Sequence, residues 1–151
     1  MSDHPKQYET RNAGLGTSPC PVDRWLDRFA LDRFIHGETA HVVRALPETV
    51  QRDLMDDPAF MLCDYDPTTG EGVSVPMSAP SRDSCSRSVV LKRTLARRPR
   101  PFVHWLIAHE LAHAHLRNAG RWPDEDPELA ADALAAAWGF PRPATRPQAR
   151  G

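Results

Sequence analysis

The stretch Phe102-Val103-His104-Trp105-Leu106-Ile107-Ala108-His109-Glu110-Leu111-Ala112-His113-Ala114-His115-Leu116 decides how this chain is read. Apolar residues recur around much of a helical wheel, Pro101 suits a first helical turn and Gly120 a stop. This predicts a buried central helix over 102–118. Within it, His109-Glu110-Leu111-Ala112-His113 is an HExxH pattern. Residues four apart share a helix face, with Cβ atoms roughly 5–6 Å apart. Two imidazoles there can converge on one metal ion at about 2.0–2.1 Å per Zn–N bond. Glu110 lies about 100° further round the helix. It is placed to take a proton from a metal-bound water rather than to ligate.

A third ligand has to come from elsewhere. Downstream of His115 the chain has no His and no Cys, so a ligand from that side is a carboxylate: Asp124, Glu125, Asp126, Glu128 or Asp132. Asp126-Pro127-Glu128 reads as an N-cap, a first-turn proline and a first-turn acid of a helix that runs to Trp138 and closes at Gly139. Glu128 and Asp132 share one face of that helix. The longer Glu128 side chain is the better ligand, and Asp132, one turn on, can accept the free ring N–H of a ligating His. The same acids also suit the positive end of a helix dipole with no metal present.

His109-Glu110-xx-His113 followed by Glu128-Leu-Ala-Ala-Asp132 resembles the gluzincin-type zincin metallopeptidases, including the minimal gluzincins and the ImmA/IrrE-like zinc-peptidase domains. The resemblance covers about residues 59–140 in order of elements, although its specific content is the two motifs. It implies that His109, His113 and Glu128 bind Zn2+, that Glu110 is the general base, and that Asp132 supports a ligating His. It also implies a strand before the helix that binds an extended peptide or protein substrate. The metzincin extension is absent, because Leu116 and Ala119 stand at its Gly and His positions. Tyr65, His104 and Arg121 are the candidate oxyanion donors. His115 falls on another helical face and reads as a supporting or surface group.

Outward from this motif, Trp25, Leu26, Phe29, Ala30 and Phe34 predict a helix over 22–36, and Val50, Leu54 and Met55 one over 47–56, stopped by Pro58. Segments 59–65, 72–77 and 88–95 read as strands, the first two as a hairpin with a long loop. The expected fold is α+β: a minimal zincin-like domain with a small three-stranded sheet, mixed or antiparallel, packed on the HExxH helix, and a following glutamate helix. The domain would span 22–140, between a flexible arm over 1–21 and a flexible tail over 141–151.

The chain has 151 residues, 15 of them proline, and a net charge of −1. One modest domain fits that length, and the charge gives no global attraction to nucleic acid or an anionic membrane. No apolar run approaches the ~18 residues of a membrane helix, and no signal peptide is visible. Cys20, Cys63 and Cys85 lack CxxC spacing, which fits reduced thiols in a cytoplasmic protein. The missing PCxxC pair excludes a zinc deaminase. A thiolate from Cys20 could block an open zinc position and hold an enzyme latent.

Arg82–Arg100 holds seven basic residues and one acid, and Glu48–Glu71 seven acids and one base. Without interleaved aromatics the basic run reads as a solvated face, or as lying against the acidic stretch, rather than as a nucleic-acid site. Function therefore divides two ways. The first is a zinc metallopeptidase with Glu110 as base. The second is a zinc-binding regulatory or interaction module that uses the same ligands with little or no peptidase activity.

Overall fold

The computed structural model describes residues 20–69, 87–117 and 126–144. Among these, five α-helices and two strands form a mixed α+β arrangement around one core. The elements in chain order are α1 (Pro21–Asp27), α2 (Arg33–Ala45), α3 (Glu48–Met55), β1 (Phe60–Tyr65), β2 (Arg87–Lys92), a 3-10 turn (Arg93–Arg97), α4 (Arg100–Arg117) and α5 (Pro127–Ala137).

The single helix expected over 22–36 is two helices. Ala30 adopts φ 51°, a left-handed conformation that no helix can continue through. Asp32 then caps α2, its carboxylate accepting the Phe34 N–H at 3.1 Å. The Asp32 N–H itself donates to Asp64 Oδ2 on β1 at 2.6 Å, which ties the break to the sheet. Trp25 and Phe29 pack on Phe60, with ring centroids 5.3 and 6.0 Å away. Pro21, placed in the arm by its sequence neighbourhood, opens α1, and Cys20 packs against the core.

Helix α2 continues through Gly37 and buries Ile35, Thr39, Ala40, Val42 and Val43. It stops at Leu46, whose extended backbone suits the residue before a proline. The Gln51 amide of α3 reaches back to the carbonyls of Val43, Arg44 and Leu46, satisfying acceptors that the end of α2 leaves open.

The sheet among the described residues has two strands, β1 and β2, paired in parallel from Phe60↔Arg87 to Tyr65↔Lys92. A parallel pair needs a long connection between its strands, and 21 residues separate Tyr65 from Arg87 in the sequence. The expected strand over 72–77 lies outside the described residues, so a three-stranded sheet is not what the described chain displays. The strand expected over 88–95 ends early, at Lys92. The 3-10 turn that follows sends Leu95 into the core.

Helix α4 is the central element. Val103, Ile107, Ala108, Leu111 and Ala112 are fully buried, and α4 touches α5, α2, β2 and α3. Ala131 and Ala135 of α5 are fully buried as well. Their lack of side-chain bulk lets α5 lie close along α4, which sets where Glu128 and Asp132 arrive. Asp126 caps α5 by accepting the Glu128 N–H at 3.0 Å, and Gly139 closes it with φ 100°. No helix among the described residues is long and apolar enough to cross a membrane.

Candidate metal centre

Two adjacent rows of side chains on α4 organise the site. Trp105, His109 and His113 repeat at four-residue spacing and face α5, where their polar partners lie. Phe102, Leu106 and Glu110 repeat at the same spacing one residue away and line a cleft against β2 and the 3-10 turn. The cleft has a volume of about 610 Å³.

In the first row, His109 Nε2 lies 3.1 Å from His113 Nε2 and 2.9 Å from Glu128 Oε2. His113 Nε2 lies 3.1 Å from Glu128 Oε1. His109, His113 and Glu128 are the one His/Cys/Asp/Glu group among the described residues whose ligand atoms all converge closely enough to hold a metal. His109 is buried, His113 half-buried and Glu128 exposed, so the group opens outward from the helix.

Hydrogen-bond chemistry indicates what this group accommodates. His109 Nδ1 donates to Asp132 Oδ1 at 2.8 Å, which leaves Nε2 as a bare lone pair in the neutral ring. That lone pair faces a carboxylate oxygen and a second imidazole nitrogen. One proton on His113 could satisfy only one of these contacts at a time, whereas a divalent cation satisfies all three. The spacing agrees: ligand atoms about 2.0–2.1 Å from a tetrahedral zinc lie about 3.3 Å apart. The residues therefore fit a small divalent metal bound by two imidazoles and one carboxylate.

Asp132 is held in turn. Its Oδ1 also accepts the Trp105 Nε1–H at 2.9 Å, and Arg142 lies 3.8 Å from its Oδ2 with the guanidinium stacked over the Trp105 ring. Burial pushes the Asp132 carboxyl up, but the hydrogen bonds from Trp105 and His109, with the Arg142 charge, outweigh it. The net position is below the usual carboxylate value. Trp105 and Arg142 are the supporting residues that sequence reasoning missed. Extending the four-residue row back from His109 reaches Trp105, whereas nothing marks Arg142 within a segment read as tail.

Glu110 lines the cleft half-exposed and makes no hydrogen bond or ion pair with another described residue. Neither described candidate oxyanion donor, His104 or Tyr65, contacts the metal group. His104 bonds Glu38 and stacks on His41 at 4.5 Å, Tyr65 ends β1, and Arg121 lies outside the described residues. His115 is no ligand: its Nδ1 pairs with Asp53 of α3 at 2.6 Å, and its ring packs near Trp138. Cys20 is not in the metal group either. At the start of α1 it meets the Val22 N–H and then Arg44, which together lower the thiol below its ordinary value.

Comparison of the chain with protein-family models, with curated proteins and with solved structures found no match in any of the three.

Proposed function

We propose that this chain is a minimal gluzincin-type zinc metallopeptidase that hydrolyses peptide bonds. The observation that carries the reading is the pairing of the two α4 rows. An Asp132-oriented His109 stands beside His113 and Glu128 in one row. Glu110, with no partner among the described residues, opens into a cleft in the next.

His109, His113 and Glu128 would hold the metal. When bound, zinc supplies a Lewis acid that makes a water more acidic and a peptide carbonyl more electrophilic. The protein's own contribution is then specific. Asp132 keeps the His109 proton on Nδ1 and its lone pair on the metal side. Glu110 takes the proton of the attacking water and delivers it to the leaving amine. The Phe102–Leu106 wall positions the peptide beside that carboxylate.

The second reading, a regulatory or interaction module with the same zinc ligands, draws support from the absence of an oxyanion donor beside the metal group among the described residues. Glu110, unpaired among the described residues, favours the enzyme, because a structural metal has no use for such a carboxylate next to it. Zinc-loaded protein is expected to cleave an unstructured protein substrate. Glu110→Gln should keep zinc and lose turnover by at least about 100-fold. Unchanged turnover in that variant would refute the assignment of Glu110. Stoichiometric zinc without cleavage of any substrate would favour the module.

A further inference from the structure

Six of the seven basic residues in the stretch that ends at Arg100 are among the described residues, and they sort into two groups by partner. Arg87 is buried between Asp53 and Asp57, Arg93 bonds Asp64, and Arg100 lies 3.6 Å from Glu38. These three cations are satisfied by carboxylates of the fold. Lys92, Arg97 and Arg98 are exposed and make no ion pair with a described residue. Arg98 instead lies over the Phe102 ring at 4.3 Å.

All three of these cations line the cleft that Glu110 also lines, and Glu110 is the one acid among its described lining residues. Three like charges around one cleft raise the local concentration of anions. The wall between them is apolar, from Leu95, Phe102 and Leu106. Val90, Leu91 and Lys92 all border the cleft. Successive strand residues point to opposite faces, so a cavity that meets three in a row runs along the strand edge. On its other edge β2 pairs with β1.

We propose that this cleft selects an extended peptide segment carrying acidic side chains among apolar ones, with Lys92 and Arg97 as the specificity-determining cations. The proposal rests on the peptidase reading and names its substrate class. A strand edge and an aliphatic wall suit a peptide backbone and its side chains. Single-stranded nucleic acid would want stacked aromatics instead.

The test is fluorescence anisotropy on the full zinc-loaded chain carrying Glu110→Gln, so that the probes are not consumed. The probes are three fluorescein-labelled decapeptides with a common apolar pattern and Glu, Ser or Lys at alternate positions, together with a ten-nucleotide oligo-dT. Two exposed charge pairs predict that the Glu peptide binds about 5–10-fold tighter than the Ser peptide at low ionic strength, and that the preference fades at about 0.5 M salt. Adding Lys92→Glu with Arg97→Glu should transfer the preference to the Lys peptide and leave the Ser peptide within about twofold. Equal affinities, a Glu preference that survives the double change, or tighter binding of oligo-dT would each overturn the proposal. Wild-type protein that cleaves all three peptides equally well refutes the charge selection and leaves the peptidase reading standing. A Glu preference in binding without cleavage by wild-type protein does the reverse.

Discussion

Removing the Asp132 carboxylate tests whether this residue orients the metal ligand. In Asp132→Ala, His109 Nδ1 and Trp105 Nε1 lose the oxygen they share at 2.8 and 2.9 Å. A buried donor left unpaired costs about 1–3 kcal/mol. Asp132 is a quarter exposed, so water can replace part of what is lost. The zinc-free protein is therefore expected to lose about 2–3 kcal/mol. Zinc affinity should fall further, by about 10–100-fold, because the His109 tautomer and ring orientation are no longer fixed. Asp132→Asn keeps an acceptor oxygen and removes the charge, so it should lie between wild type and Asp132→Ala in both respects. Urea unfolding of zinc-free protein gives the first quantity, and competition with a chromophoric chelator gives the second. A folded Asp132→Ala protein that binds zinc within twofold of wild type would refute the reasoning.

Further expectations concern the frame around the site. Arg87 is 1% exposed and bonds Asp53, Asp57 and the Ala114 carbonyl of α4. Arg87→Met should cost about 3–5 kcal/mol in urea unfolding, because it removes the buried cation that both Asp53 and Asp57 pair with. Burial works to raise the Asp57 carboxyl, but its bond to Arg87 and the Ala59 N–H leave it lowered from 3.8. Its contribution should therefore be complete above the unfolded value and be lost as pH falls through the lower folded one. The stability gap between wild type and Asp57→Asn, followed by urea unfolding between neutral and acid pH, should shrink in that window. Ala135→Leu overpacks the contact of α5 with α4 and should cost about 1–3 kcal/mol in thermal unfolding, while weakening zinc binding by moving α5. Iodoacetamide near neutral pH, read by peptide mass spectrometry, should label Cys20 before Cys63. Hydrogen bonds lower the first thiol, whereas burial raises the second.

The site was more legible in the sequence than the frame that holds it. His109, His113, Glu128 and Asp132 could be named because helical periodicity alone places residues four apart on one face, and because the Asp126–Pro127 start signals fixed the phase of α5. The break between α1 and α2 was not legible. It depends on a left-handed Ala30 and on the Asp32–Asp64 bond to a strand over 30 residues later, neither of which leaves a local pattern. The sheet was legible only in part. The turn-rich segment after Tyr65 suggests a hairpin onto 72–77, which lies outside the described residues, whereas the parallel pairing of β1 with β2 joins strands 21 residues apart and leaves no local signal. The acidic and basic stretches lie against each other at Arg87 and Arg93, which meet Asp53, Asp57 and Asp64. Lys92, Arg97 and Arg98 make no ion pair with a described residue. Charge runs say how many ions there are, and only the fold says which of them are paired.

Whether His109, His113 and Glu128 form one metal centre can be seen by anomalous diffraction at the zinc edge, on crystals of zinc-loaded protein. A single strong peak is expected about 2.0–2.2 Å from His109 Nε2, His113 Nε2 and a Glu128 oxygen, with no fourth protein ligand. Asp132 should remain on His109 Nδ1. A peak elsewhere, or a Zn2+ ion bound by these histidines with Glu128 turned away, would contradict a shared centre.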